Sequence, residues 1–329
     1  MKMGGQLKVD DAIRHPVRIA IVGAGFVGAT FAYSLLLSGL AAEIVLIDSN
    51  TEKAMGEAMD LNHAVPFAHP TRIWAGNYSD CAGAAVTVIT AGAGQKPGET
   101  RLDLVSRNVV ILRQIIPQIV QNNPGGMLLI ATNPVDILCY AAWKLSELPA
   151  ARVIGSGTIL DTARFRYLLS QYFGVDARSV HAFIVGEHGD SEVPVWSLAN
   201  IAGMRLVDFC TAHNLGCTDE KRAEIFRQTR DAAYEIIKRK SATYFAIASG
   251  LIRILEAILR DQNTVLTISS RIDDYYGIGD VYLSLPAVIN ARGVERVLRL
   301  NLDETEAAGL KHSAQVLKNL LSQISLDRD

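Results

Sequence analysis

Cysteine is scarce in this chain, and its few copies follow no recognisable pattern. Four cysteines occur in 329 residues, with no C-x-x-C motif and no histidine at the spacing of a zinc ligand, so a metal site is not expected. Cys210 and Cys217 lie near each other, but a single pair at this spacing is weak evidence for a metal site. We expect buried or idle thiols in a reducing compartment, and therefore a cytoplasmic protein.

An excess of charge of either sign is also missing. Lysine and arginine together number 32 against 34 aspartates and glutamates, and no basic tract stands out. Nucleic acid and anionic membrane surfaces are therefore poor candidates for partners. With 49% hydrophobic and 20% charged residues, the chain has the composition of a globular protein of one large or two medium domains.

Neither a secretory signal nor a membrane span is expected. Asp10, Asp11 and Arg14 interrupt any apolar segment near the N-terminus. Residues 20–42 carry no charge and are long enough to cross a bilayer. Three glycines within six residues of this run, placed after β-branched residues, instead favour a strand, a turn and a helix.

Short apolar runs alternate with helical patterns over residues 16–155, after an irregular arm at 1–15. Strands are predicted at 17–22, 43–48, 71–77, 85–90 and 127–132, and helices at 26–39, 51–63, 102–121 and 136–147. This alternation is typical of parallel β-α-β units, so we predict an α/β fold with a doubly wound parallel sheet, the Rossmann arrangement.

Residues 156–329 have shorter strand patterns and longer amphipathic helices, which indicate an α+β domain for substrate binding and catalysis. The strands are predicted at 181–185, 265–269 and 281–287, and the longest helices at 220–240 and 244–261. No linker separates the two parts, so we expect them to pack tightly with a ligand cleft between them.

Residues 23–28, GAGFVG, match the G-x-G-x-x-G pattern between a predicted strand and a predicted helix. The glycines allow a tight turn and the close approach of a pyrophosphate to the helix N-terminus. Asp48 ends the next strand, about twenty residues further on, where its carboxylate can bind the adenosine ribose and repel a 2′-phosphate. The motif therefore predicts NAD rather than NADP, held by Gly23, Gly25, Phe26, Val27, Gly28 and Asp48.

Polar segments follow two later strands, at the sheet edge where such folds bind ligands. Thr90, Ala91 and Gly92 end one strand and should flank the cofactor. Asn133 ends another and can hydrogen-bond a carbonyl or hydroxyl of the substrate or the nicotinamide. The alternative is that Asn133 merely caps the helix that begins near residue 136.

His188 lies between two glycines in the octet VGEHGDSE, and histidine can take and give a proton near neutral pH. Asp161 and Arg164 are three residues apart at the start of a predicted helix, so they share one face. Asp161 can then orient the imidazole, while the planar fork of Arg164 grips a carboxylate. The alternatives are an idle surface histidine and an aspartate that only stabilises the helix N-terminus.

Two further arginines have different expected positions. Arg166 is five residues from Asp161, about 140° around the helix, and cannot point into the same site. Arg101 ends a glycine-rich polar loop at 92–101, which is a candidate lid. Arg101 can swing in and polarise a substrate carbonyl, or it can remain a solvated loop residue.

Several stretches together resemble the L-lactate/malate dehydrogenase family over nearly the whole chain, most closely its bacterial L-lactate dehydrogenases. They are GAGFVG, ITAGAGQKPGETRLDLV, ATNPVD, GTILDTARFR, VGEHGDSEVPVWS and KSATYFAIA. The resemblance implies that His188 is the acid/base with Asp161 as its partner, that Arg164 binds the substrate carboxylate, and that Arg101 polarises the carbonyl. It further implies that Asn133 contacts cofactor and substrate, and that NADH reduces pyruvate while His188 protonates the carbonyl oxygen.

Two positions bear on the substrate that the resemblance implies. In malate enzymes of this family an arginine stands where Gln95 stands here, and it pairs with the second carboxylate of oxaloacetate. The neutral Gln95 would leave that carboxylate unpaired. Thr243 also matches the lactate-type pattern. Both favour pyruvate and L-lactate, with malate dehydrogenase or another L-2-hydroxy acid dehydrogenase as the alternative.

Two other classes of protein are less favoured. An NAD-dependent glycosidase on a related fold needs a metal held by cysteine and histidine, and no suitable pair is visible. A non-catalytic NAD-binding protein has no reason to keep His188, Asp161, Arg164 and Arg101 together.

The resemblance also bears on regulation. Arg166 and His181 fall on the positions with which bacterial relatives bind the activator fructose 1,6-bisphosphate between subunits. It therefore implies an allosteric homotetramer with an effector site at these residues. The alternative for His181 is an ordinary histidine at a strand edge.

Overall fold

A computed structural model describes residues 16–94, 98 and 100–325 of the chain. The predicted arm at 1–15 and the position of Gln95 lie outside these ranges. The first half alternates as predicted, with strands β1 (Arg18–Val22), β2 (Glu43–Ile47), β3 (Arg72–Ala75), β4 (Ala84–Ile89), β5 (Met127–Ile130) and β6 (Val153–Gly155). Its helices are α1 (Phe26–Ser38), α2 (Thr51–Ala64), α3 (Arg101–Asn122) and α4 (Val135–Ser146).

The second half mixes helices with antiparallel strands. Its helices are α5 (Ile159–Phe173), α6 (Leu206–Ala212), α7 (Asp219–Lys240), α8 (Phe245–Leu259) and α9 (Glu304–Leu321). Its strands are β7 (Val180–Val185), β8 (Val193–Ile201), β9 (Met204–Arg205), β10 (Thr264–Ile272), β11 (Val281–Asn290) and β12 (Gly293–Val297). Strands β7, β8 and β9 form a small antiparallel sheet.

The large sheet confirms the predicted doubly wound arrangement. Its strand order, over the described residues, is β12-β11-β10-β6-β5-β4-β1-β2-β3, and β1 to β6 are all parallel. From β1 the strands are added first on one side, as β2 and β3, and then on the other, as β4 to β6, so the strand order reverses between β1 and β4. Ligands of such sheets bind outside the carboxyl ends of the strands at that point. The fold therefore places a ligand site next to the glycine turn after β1.

Strands of the second half extend the large sheet, which the sequence did not indicate. β10 pairs antiparallel with β6 through Ser269 and Gly155. A Cβ atom on Gly155 would lie only 2.8 Å from the Cβ of Ser269, so glycine permits this close approach. The two halves of the chain are therefore joined through backbone pairing as well as through side-chain packing.

Both faces of the large sheet are buried. Ile19 and Ile21 of β1 belong to an apolar cluster with α1, α2 and α8, whereas Ala20 and Val22 belong to a cluster with α3, α4 and α9. Successive side chains of a strand point to opposite faces, so the uninterrupted apolar run of β1 supplies both clusters.

The cysteines differ from expectation at one pair. Cys81 and Cys139 are buried thiols, but Cys210 and Cys217 form a disulfide whose Cα atoms are 6.1 Å apart. The expectation of free thiols is therefore wrong for this pair. The chain turns back after α6, where the amide of Leu215 donates to the carbonyl of Cys210 at 2.9 Å, and this turn brings the two sulfurs together.

The uncharged run at 20–42 forms β1, the glycine turn and α1, as predicted. Within the described ranges, no helix combines the length and the hydropathy needed to cross a bilayer.

Candidate active site

The turn between β1 and α1 has the shape expected of a dinucleotide cradle. Gly23 has a φ of +110°, and a Cβ there would lie 2.5 Å from the amide nitrogen of Ala91. A Cβ on Gly28 would lie 1.8 Å from the carbonyl oxygen of Gly23, so close packing of strand and helix requires glycine. Gly25 faces open space, with no atom within 4 Å of a Cβ position, which leaves its backbone open to a ligand.

A cavity of about 540 Å³ lies beside this turn, at the carboxyl ends of β1, β2 and β4. Its lining includes the predicted residues Gly23, Gly25, Asp48, Thr90, Ala91 and Gly92. Asp48 accepts hydrogen bonds from the amides of Ala24 (2.6 Å) and Asn50 (2.8 Å) through its two oxygens, which holds the carboxylate against the turn. A pyrophosphate-binding turn with an adjacent carboxylate for the ribose fits NAD.

Two residues of the motif lie elsewhere. Phe26 is exposed and stacks on Tyr244 with ring centroids 5.5 Å apart, and Val27 packs against the apolar cluster around α1. Neither lines the cavity. Val27 thus packs against the core, and Phe26 makes an exposed aromatic contact, rather than forming the wall of the cavity.

The start of α5 and the turn after β7 bring Asp161, Arg164 and His188 together. Nδ1 of His188 donates to Oδ2 of Asp161 at 2.5 Å, and Nη1 of Arg164 donates to Oδ1 at 2.8 Å. The helix begins after Thr158, so Asp161 lies in its first turn and does not cap it. A single buried carboxylate therefore orients both the imidazole and the guanidinium.

Electrostatics favour an ion pair between these two groups. Burial lowers the pKa of His188, but Asp161, through its charge and its hydrogen bond, together with the more distant Asp136 and Glu192, raises that pKa to about 9. Burial raises the pKa of Asp161, and the charge and hydrogen bond of His188 together with Arg164 outweigh this and lower it. At neutral pH the pair is an imidazolium beside a carboxylate, so the ring holds a proton that it can donate.

Asp136 is a site residue that the sequence analysis missed. Its Oδ2 accepts from the backbone amide of His188 at 2.7 Å, and its Oδ1 accepts from Oγ of Ser269 at 2.6 Å. It is fully buried, and burial raises its pKa. In the sequence it appeared only as a possible helix start, because nothing in the ATNPVD stretch indicates a contact with a turn 52 residues away.

Arg101 is the first residue of α3, after the N-cap Thr100, and does not project freely into solvent. Its guanidinium forms an ion pair with the buried carboxylate of Glu187. Glu187 in turn accepts a hydrogen bond from Oγ of Ser191, and its amide donates to Oγ of Ser313 at 2.7 Å. The Arg101 side chain is thus ion-paired while 36% of it remains exposed, and α9 helps to hold the turn around His188 through Ser313.

A cavity of about 340 Å³ is lined by all three predicted catalytic residues and by some of the predicted substrate-binding residues. Its lining includes Arg101, Asn133, Asp161, Arg164 and His188, together with the unpredicted Asp190, Glu192, Arg230, Tyr234 and Ile237. The last three come from α7, whose amphipathic pattern showed a helix but not which structure its side chains face. Burial raises the pKa of Glu192 to about 8, and the charge of Asp161 adds to this effect.

Asn133 and Thr243 differ in their position relative to this cavity. Asn133 lines the cavity, and its backbone carbonyl accepts from Nδ2 of Asn108 at 2.9 Å. Helix α4 has Pro134 at its N-cap and no side-chain capping bond, so the capping alternative for Asn133 is wrong. Thr243 lies in the connection from α7 to α8 and is not among the residues that line this cavity.

Arg166 lies outside the cavity, as the helix geometry predicts. Its Nε donates to the carbonyl of Ala182 at 2.9 Å and its guanidinium stands 5.5 Å from the ring centroid of Phe183. Burial lowers its pKa. His181 is exposed on β7, next to the residue that Arg166 contacts. Arg166 on α5 and His181 on β7 thus both lie outside the cavity, and Arg166 contacts the residue that follows His181 in the chain.

A dinucleotide cradle, together with a cavity lined by a carboxylate-held imidazolium and by a guanidinium, is typical of an NAD-dependent oxidoreductase. The chain belongs to the lactate/malate dehydrogenase family: the NAD-binding domain model matches residues 17–155, and the α/β C-terminal domain model matches 158–325.

The named relatives and the solved structures that match this chain are lactate dehydrogenases as well. An L-lactate dehydrogenase of Priestia megaterium is 56% identical over 301 residues, covering 92% of this chain and 94% of the relative. An L-lactate dehydrogenase of Moorella thermoacetica is 51% identical, covering 95% and 99%. The structure of the minor L-lactate dehydrogenase from Enterococcus mundtii matches with a TM-score of 0.91 at 40% identity, covering 94% and 99%. A lactate dehydrogenase from a deep-sea metagenome library matches with a TM-score of 0.90 at 46% identity, covering 93% and 98%.

Proposed function

We propose that the protein is an L-lactate dehydrogenase that interconverts pyruvate and L-lactate with NAD. The observation that carries this proposal is the buried Asp161 carboxylate holding both His188 and Arg164 in one cavity. A 2-oxo acid needs a cation for its carboxylate and a proton donor for its carbonyl, and this arrangement supplies both. The names of the relatives, which are L-lactate dehydrogenases, support pyruvate as the substrate.

Each residue has a role in this proposal. Arg164 binds the substrate carboxylate through its planar fork, while His188 donates its proton to the carbonyl oxygen and takes it back from L-lactate in the reverse direction. Arg101 leaves its ion pair with Glu187, contacts the substrate carbonyl and stabilises the negative charge that develops on its oxygen. Asn133 hydrogen-bonds substrate or cofactor. NADH, when bound in the cradle at Gly23, Gly25, Gly28 and Asp48, supplies the hydride.

Gln95 and Thr243 are proposed to select pyruvate over oxaloacetate. A neutral residue at 95 leaves a second carboxylate without a partner, which is costly in a closed site. The test compares NADH oxidation with pyruvate, oxaloacetate and 2-oxo-4-methylpentanoate. We expect the highest kcat/KM with pyruvate. A preference for oxaloacetate would instead support malate dehydrogenase, and a preference for the branched acid would support another L-2-hydroxy acid dehydrogenase.

Regulation by fructose 1,6-bisphosphate is a second part of the proposal. Arg166 on α5 and His181 on β7 are basic residues outside the cavity, Arg166 contacts the carbonyl of Ala182 next to His181 in the chain, and a phosphate needs such donors. We propose that they bind the effector between subunits of a homotetramer. Titration of the effector between pH 6 and 8 tests this. The pyruvate saturation curve should shift for the unaltered protein and not for R166Q. An unchanged curve for the unaltered protein would contradict it.

The proposal also covers organisation and location. Residues 16–155 form the NAD-binding domain, residues 156–329 form the catalytic domain, and the enzyme works in the cytoplasm.

A further inference from the structure

Glu192 is a buried carboxyl group in the wall of the active-site cavity with an incomplete set of partners. It precedes β8, and only 6% of the residue is exposed. Among the described residues, its Oε1 is a buried oxygen with no hydrogen-bond donor or acceptor in reach. Glu192 lines both the cavity of about 340 Å³ and an adjoining cavity of about 400 Å³. Glu192 is therefore a buried, incompletely partnered acid in the wall of the cavity in which the substrate is proposed to bind.

The charged and titratable groups around Glu192 come from every neighbouring element. They are Arg101 on α3, Asp136 on α4, Asp161 and Arg164 on α5, Glu187, His188 and Asp190 on the turn after β7, Arg230 and Tyr234 on α7, and His312 on α9.

The nearby cations already have carboxylate partners. Arg164 and His188 pair with Asp161. Arg101 pairs with Glu187, and Arg230 with Asp231. An ionised Glu192 would therefore be a buried carboxylate beside the ionised Asp161 and without a cation of its own, which is a costly arrangement. Its raised pKa of about 8 follows from burial first and Asp161 second, and His188, Arg164 and Arg230 reduce the rise.

Binding of an anionic substrate increases the cost of an ionised Glu192. The incoming carboxylate needs Arg164, and an ionised Glu192 would repel it across the same cavity. A neutral Glu192 adds no charge and can donate its O–H to an anion, whereas the ionised form can only accept. The cavity therefore accommodates either the substrate anion or an ionised Glu192, but not both together.

We propose that Glu192 is a substrate-binding residue that acts in its protonated form, and that pyruvate binds only when both Glu192 and His188 carry a proton. The inference rests on the proposed function and deepens it, since it adds a second proton requirement to the binding of the same 2-oxo acid. Glu192 transfers no proton to the substrate; its proton remains on the carboxyl throughout.

The pH dependence of kcat/KM for pyruvate tests the proposal. If two protons are needed, kcat/KM falls above about pH 9 with a limiting slope of −2, about 100-fold per pH unit, whereas one proton gives about 10-fold. We expect a slope of −2 for the unaltered enzyme and −1 for E192Q, which cannot ionise. E192D keeps a titrating group and should keep the slope of −2. E304Q, which removes an exposed carboxylate that lines neither cavity, is the matched control and should also keep it.

A second measurement does not depend on turnover or on a variant that folds. Oxamate, an amide isostere of pyruvate, is added to the enzyme–NADH complex at pH 9.5 and proton uptake is followed with an indicator dye. The proposal predicts uptake of between one and two protons per site, and uptake of one or fewer overturns it.

The outcomes separate the two proposals. An E192Q slope of −2, or an unaltered enzyme with a slope of −1, overturns the role of Glu192 and leaves the L-lactate dehydrogenase assignment intact. Absence of pyruvate reduction by the unaltered enzyme at every pH overturns both.

Discussion

The charge of His188 is set by opposing effects of burial and of Asp161, and the balance affects stability as well as chemistry. The folded-state pKa of about 9 lies above the ordinary value of 6.5. The pairing therefore stabilises the fold fully below pH 6.5, and this contribution is lost as pH rises through 9. We predict that D161N lowers the midpoint of urea unfolding more at pH 6 than at pH 10. In the same variant, the alkaline fall of pyruvate reduction should move to lower pH. An equal loss at both pH values would contradict the pairing.

The proton donor itself can be removed with little change in shape. We predict that H188N binds NADH with nearly unchanged Kd, because the cradle lies at the β1–α1 turn, while kcat for pyruvate falls by about 10²–10⁴-fold. Fluorescence titration and a steady-state assay measure the two quantities. H63N, at an exposed position on α2, is the control and should retain activity. Retained turnover in H188N would refute its role.

The proposed role of Arg164 depends on the planar shape of its guanidinium as well as on its charge. Asp161 fixes its Nη1, and the residue lines the cavity. Lysine keeps the charge but loses the two-point contact with a carboxylate. We therefore predict that R164K raises KM for pyruvate by about 10- to 100-fold, with KM for NADH little changed. A KM for pyruvate within about twofold of the unaltered value would exclude two-point binding.

At the scale of elements, β10 supports the active site from the far half of the chain. Ser269 on this strand donates to Asp136 on α4, which in turn holds the amide of His188. S269A leaves a buried carboxylate oxygen without its donor, so we predict a loss of about 1–3 kcal/mol in the free energy of unfolding and a reduced kcat. Urea unfolding and steady-state kinetics check both. S249A, which only removes a bond to a carbonyl of α8, should cost less than about 0.5 kcal/mol.

At the scale of the whole molecule, several large apolar side chains remain exposed on α1, on α2 and just after α2. Tyr33 and Leu37 of α1, Met59 of α2 and Phe67 are between 47% and 90% exposed. Exposed apolar side chains that cluster into one patch mark subunit interfaces. We predict a species of about four times the 35.7 kDa chain mass in sedimentation velocity, and smaller species for M59E. Q315E, an exposed change on α9, is the control. A monomeric unaltered protein would contradict the tetramer.

Much of the fold and part of the site follow from local sequence. The glycine turn, the alternation of strands and helices, and the shared face of Asp161 and Arg164 depend on backbone sterics and helical spacing within a few residues. The opposite direction of Arg166 follows from the same spacing. These features were predicted because each one is decided by neighbours in the chain.

Only the tertiary structure decided which distant groups meet. Ser269 and Asp136 are 133 residues apart, and nothing in either segment specifies the other. The same holds for the ion pair of Arg101 with Glu187, for the side chains of α7 that reach the cavity, and for the burial of Glu192. The sequence by itself determined the elements and the chemical groups they carry. Their contacts and pKa values depend on burial and on partners from other elements, which exist only once the chain has packed.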